Sequence, residues 1–315
     1  MKSLKRNISA VLVAGCAIGL VAGVIPANAS EDGNSVFDAI SEVAPEVFAE
    51  VALSRGEQST AAASPLEIAE DPSAPILLGE GESLIEVNLP FRDVATSLDG
   101  GAYLAFDNGN GSVTVPVGKR DGSVQIVTVL EGASAPEVYT YDLGLPVGAT
   151  LVQTETGAIA VLSSDGSLIG GIAAPWAKDS NGAEVPTHYE VDGATVTQVI
   201  EHEDAQVAYP VVADPYMGQN LISQAWITPV SQGNVVNVVP TSWGRTYSGQ
   251  TVLTYHWQEL QNRLQSSVLT STIREQFYCH IYGNIFESGT YNMESWRPYK
   301  DWGFQLNLSD RCNPT

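Results

Sequence analysis

The chain has 315 residues, a formal net charge of −22 and three cysteines. Its excess of acid lies between residues 30 and 217, where Arg55, Arg92, Lys119, Arg120 and Lys178 are the only arginines and lysines, whereas residues 218–315 are charge-balanced. An acidic body of this strength repels phosphate backbones and anionic headgroups, which excludes nucleic acid and an anionic membrane surface as partners of residues 30–217.

Residues 1–29 have the layout of a secretory signal: Lys2, Lys5 and Arg6, an apolar run over residues 8–25, then Ala27-Asn28-Ala29 as a small-residue cleavage site. Cleavage before Ser30 and an extracellular protein are expected. A lipoprotein signal competes, because Val13-Ala14-Gly15-Cys16 has the small-residue-then-cysteine form. Anchoring through Cys16 would strand the apolar residues 17–25 on the mature chain and is the minor alternative. The apolar run is short for a membrane span and is followed by acids without a basic stop-transfer cluster, so no transmembrane segment is expected in the mature chain.

Residues 30–82 are acidic and rich in Ala, Ser and Pro, the composition of a flexible linker or pro-segment. Within them Val36, Phe37, Ile40, Val43, Val47, Phe48 and Val51 recur at helical spacing. An amphipathic helix broken or bent at Pro45, serving to dock, is the alternative.

Residues 83–215 change texture. Alternating runs at 83–89, 102–106, 112–117 and 123–130 are punctuated by Asp99-Gly100, Asn108-Gly109, Asn110-Gly111, Asp121-Gly122, Asp165-Gly166, Asn181-Gly182 and Asp192-Gly193, pairs that accept the positive φ of hairpin turns. This pattern predicts a mostly β central domain, an antiparallel sandwich or barrel. It shows neither a solenoid period nor the spaced carboxylates of a calcium loop. Pro210 and Pro215 hold the residues before them extended and place a domain boundary at residues 214–216. Residues 143–215, most specifically YPVVADP at 209–215, resemble a segment found in secreted actinobacterial proteins ahead of differing C-terminal domains. The resemblance implies an export-associated β module with no catalytic part.

Residues 216–315 contain Trp226, Trp243, Trp257, Trp296 and Trp302 and predict a small α+β domain. Two strands, 221–230 and 234–239, flank Ser231-Gln232-Gly233. One helix is predicted from the stripe Leu253, Trp257, Leu260, Leu264 and Val268, and a second from Ile273, Phe277 and Ile281, capped by Thr272 with Glu275 and ended by Gly283. A strand is expected at 303–308. Export favours a disulfide between Cys279 and Cys312, worth about 3–4 kcal/mol in the chain-entropy model. No metal is expected, because Cys279, His280 and Cys312 lack a fourth ligand at zinc spacing. Without a P-loop, an H-E-x-x-H helix or a G-x-S-x-G elbow, no cofactor is expected either.

These residues resemble the secreted actinobacterial family catalogued as domain of unknown function 2599. The likeness is carried by Trp226, VPTSWGR at 239–245, WQEL at 257–260, REQFYCH at 274–280, YNMESWRP at 291–298 and CNP at 312–314. It implies an architecture and export, and no reaction.

Two classes of function compete. His256, His280, Glu294, Arg297 and Arg245, with Glu275 beside them, are the groups of a metal-independent nuclease or other hydrolase: a carboxylate and an imidazole exchange the proton while a guanidinium stabilises phosphoryl charge. A toxin-like enzyme is the alternative, weakened by a domain with no positive field to hold nucleic acid. The expected function is a binding module. Trp296, Tyr299, Trp302 and Phe304, spaced along one tail, would offer an aromatic platform to cell-envelope glycan or to a protein surface. The oligomeric state is left open.

Overall fold

The computed structural model describes residues 29–49, 51, 66, 68–98, 103–203, 206–283 and 289–315. Apart from Ala29, the expected leader lies outside them, as does Asp99-Gly100. Two antiparallel sheets form the centre. The first runs β1 (Ile76–Leu78), β2 (Ile85–Asn88), β7 (Val138–Gly144), β13 (Thr195–Ile200) and β12 (Thr187–Asp192). The second runs β3 (Thr96–Leu98), β4 (Ala105–Asp107), β5 (Ser112–Gly118), β6 (Val124–Leu130), β15 (Tyr216–Gly218), β10 (Leu168–Ile172), β9 (Ile159–Leu162) and β8 (Thr150–Gln153). A further strand, β14 (Val211–Ala213), pairs with both β6 and β11 (Ala177–Lys178).

Side-chain alternation sets how the sheets meet. Tyr139, Tyr141 and Leu143 of β7 and Val196 and Ile200 of β13 point inward, against Val124, Ile126 and Leu130 of β6 and Ile159 and Val161 of β9. Two open sheets sharing one core make a sandwich, and the larger ends at β3 and β8 rather than closing into a barrel. In the six turn pairs within the described residues, Gly109, Gly111, Gly122, Gly166, Gly182 and Gly193 all have the positive φ that the sequence requires.

Every residue of β6, and all of β5 except Gly118, is buried, which one covered face cannot produce. The second cover is α1 (Ala29–Val43) and the short 3-10 turn Pro45–Phe48. They lay Val36, Ile40, Ala44 and Val47 on Val113, Val115, Val117, Val127, Val129 and Val212. This docked stretch differs from the flexible linker expected of residues 30–82. The break falls at Ala44, before Pro45. Lys119, 2% exposed, holds the turn by donating its ammonium protons to the carbonyls of Val47 and Ala49.

The C-terminal part is α+β. The strands β16 (Ile222–Val230), β17 (Gly233–Pro240) and β18 (Tyr291–Glu294) form an antiparallel sheet accompanied by α2 (Ser242–Thr246), α3 (Leu253–Arg263), α4 (Ser271–Tyr282) and α5 (Trp302–Gln305). The Cys279–Cys312 disulfide joins α4 to the tail with 5.3 Å between Cα atoms. Three local expectations are corrected. The first helix stops at Arg263, because Leu264 turns extended. The second is capped by Thr270, whose hydroxyl accepts the Ile273 N–H, so Thr272 is already inside it. The strand expected at 303–308 is replaced by the helical turn α5, which the Asp301 carboxylate initiates by accepting the Gly303 N–H at 3.0 Å.

The smaller core runs into the larger one. Ala158, Ala173 and Tyr216 of the sandwich belong to the cluster built around Trp243, Tyr247, Phe277 and Tyr291. The Trp243 and Tyr247 rings stack at 4.6 Å, and Tyr247 donates its hydroxyl proton to the Ile159 carbonyl at 3.2 Å. Asp121 accepts the Trp243 N–H at 3.0 Å. Two glycines of the larger sheet make room: a Cβ at Gly218 would stand 2.6 Å from the indole, and one at Gly171 3.0 Å from the Tyr247 ring.

Candidate functional site

Tyr291, at the start of β18, gathers more of the candidate residues than any element boundary suggested. Its buried ring stacks on His280 of α4, with centroids 5.2 Å apart and planes inclined by 10°. The Arg245 guanidinium carbon stands 5.5 Å from the same centroid, and Arg245 donates from Nη2 to the Gly289 carbonyl at 2.6 Å. Arg245 and His280 are therefore brought together. Phe277 stands between His256 and the group, its ring 6.4 Å from both His256 and Tyr291.

Burial decides what these imidazoles can do. His256 is 1% exposed and donates from Nε2 to the Tyr247 carbonyl at 2.7 Å. Removal from water pushes its pKa down to about 4, so at neutral pH it is an uncharged structural donor. His280 is 4% exposed. Glu294 and Arg297 pair with each other at the end of β18. Gln276 of α4 fixes that end: its Oε1 accepts the Glu294 N–H at 2.8 Å and its Nε2 donates to the Glu294 carbonyl at 3.0 Å. Glu275, also buried, accepts from Arg274 at 2.8 Å and from the Trp302 N–H at 3.2 Å. Each candidate carboxylate is thus already matched by a cation or a backbone donor.

The tail has a different character. Tyr299 is 60% and Phe304 74% exposed, whereas Trp296 and Trp302 are half-buried, Trp302 packing on the Tyr282 ring at 4.9 Å. Leu308 is 88% exposed. Beside the disulfide lies a largely apolar hollow of about 450 Å³ lined by His280, Gly283, Leu306, Leu308, Arg311 and Cys312. The leucines escaped sequence reasoning because a strand was expected across them. Tyr291 was missed as well, although the alternation of YNME places it with Met293 on one buried face. Gln276 carried no signal that separates a core clamp from a surface amide.

Among the described residues, no group of three His, Cys, Asp or Glu side chains could hold a metal ion, and no helix is long and apolar enough to cross a membrane. Residues 222–315 match the model of the family described as "Protein of unknown function (DUF2599)". No curated protein and no solved structure matches the chain.

Proposed function

We propose that this is an exported binding protein whose C-terminal tail docks on a protein surface. The observation that carries the reading is the contrast within one domain: Tyr299, Phe304 and Leu308 face solvent, while His256 is buried and the candidate carboxylates Glu275 and Glu294 are already paired with Arg274 and Arg297. A hydrolase needs its acid and base in reach of substrate. An interface needs apolar anchors beside a pocket, which the tail and its hollow provide. Two leucines among the exposed rings favour a protein surface over glycan, because sugars stack on flat rings flanked by polar groups. The signal-like leader and the disulfide support export.

The test is binding of the purified chain from Ser30 to envelopes of the producing cell. Phe304→Ser with Leu308→Ser is expected to weaken binding roughly tenfold, equivalent to about 1.4 kcal/mol, and protease treatment of the envelopes to abolish it. Undiminished binding by the double variant would refute the docking face. Loss on glycan digestion instead of proteolysis would reassign the partner.

A further inference from the structure

A second hollow, of about 650 Å³, opens where the sandwich meets α3, well within the size range of small-ligand clefts. Gln219 and Asn220 form one wall, and Tyr255, Gln258, Gln261 and Asn262 of α3 the other. Helical spacing explains the division of α3. Leu253, His256 and Leu260 are buried in the domain core, and Tyr255, Gln258 and Asn262, three and four residues apart, share the stripe turned to the cleft. Leu168 and Ile169 supply an aliphatic patch. Gln219 is set in place by donating from Nε2 to the Ser83 carbonyl at 2.6 Å.

The charges in this cleft cancel locally. Glu259 accepts the N–H groups of Leu221 and Ile222 at 2.8 and 3.1 Å and the Arg263 guanidinium at 2.7 Å. Neither charge is left to select an ionic ligand or to act as a general base. What remains is a neutral surface of amides with one tyrosine ring, bordered by Leu168 and Ile169. Amide side chains carry a donor and an acceptor in one plane, the arrangement that answers a pair of neighbouring hydroxyls, and a ring face packs on the C–H side of a sugar. A neighbouring groove of about 920 Å³ shares Ser83, Ser167 and Ile169 with the cleft and is lined further by Pro146, Val147, Glu82, Glu86 and Asp165. Together the two hollows give room for more than one sugar unit, and the carboxylates of Glu82, Glu86 and Asp165 in the second repel phosphorylated or uronic polymers.

We infer that this cleft between the sandwich and α3 binds a neutral oligosaccharide. It shares no residue with the hollow beside the disulfide, so the inference stands apart from the docking face. The measurement is titration calorimetry of the chain from Ser30 with neutral gluco-, manno-, arabino- and N-acetylglucosamine oligosaccharides. At least one series is expected to bind with a Kd under about 1 mM. Asn262→Ala and Gln258→Glu should each weaken it by roughly tenfold without a change in Tm, and the Phe304→Ser, Leu308→Ser variant should bind it as the parent does. Absence of binding across the panel overturns the inference, as does binding indifferent to both cleft substitutions. Preference for a peptide or a charged glycan does the same.

Discussion

Asp214 follows β14 inside the sandwich, 1% exposed, accepting the Gln125 amide at 3.1 Å and the Trp176 backbone N–H at 3.4 Å. Burial pushes its carboxyl up to about 7 and raises the Tyr141 and Tyr189 phenols as well, with the Asp214 charge adding to both. Because the folded value exceeds the ordinary 3.8, the native state holds a proton that the unfolded chain has released. Its contribution to stability therefore declines as pH rises from about 4 to about 7 and stays low above, a loss of about 4 kcal/mol for a shift of this size. His256 works in the opposite sense. Its depressed value costs stability as pH falls from 6.5 towards about 4, so the two slopes oppose each other across that window. Asp214→Asn should be more stable than the parent at pH 8, with the difference shrinking as pH approaches 4. Urea denaturation at a series of pH values measures this, and a difference independent of pH would contradict it.

Between sequence and element, the α1 cover shows both what could be read and what could not. Its own period was visible in Val36, Ile40 and Val47, but its landing site was not. The run Ser112-Val113-Thr114-Val115 alternates like a strand with one wet face. In the fold that polar side is dry, because the Asn108 amide donates to the hydroxyls of Ser112 and Thr114 at 3.0 Å each. A side chain before the strand thus supplies the partner that water was expected to supply, and no local pattern announces it. The antiparallel β character of the centre was legible through turn pairs and alternation, but the choice of an open sandwich over a closed barrel was not. The α5 turn was not, since a capping aspartate competes with strand-like composition. Deleting residues 30–48 should bare the Val113, Val115, Val117, Val127 and Val129 face. Dye binding to exposed apolar surface and self-association on size exclusion are the expected outcomes; a monomer with unchanged Tm would show that the cover is dispensable.

At the scale of the whole molecule, the Trp243–Tyr247 stack makes the C-terminal part a lodger in the sandwich rather than a free module. Trp243 was plain in sequence inside VPTSWGR, but that Gly218 of β15 and Gly171 of β10 make its floor and that of Tyr247 was not. Gly218→Val would drive a side chain into the indole, and overpacking of this kind costs about 1–3 kcal/mol. Residues 216–315 expressed alone would lose Ala158 and Ala173 from their core together with the Asp121 acceptor. A lowered Tm for Gly218→Val and a weakened near-UV signal from the excised part are expected. Native-like stability of the excised part would show that the shared core carries little weight.

The cover also has a place in time. Val36 and Ile40 pack on β5, β6 and Val212 of β14, partners that come far later in the chain. Contacts of such sequence separation form late, because loop-closure entropy must be met before they contribute. The helix near the start of the described chain is therefore expected among the last elements to settle, and pulse-labelled hydrogen exchange checks this: α1 amides protected before those of β5 and β6 would contradict it.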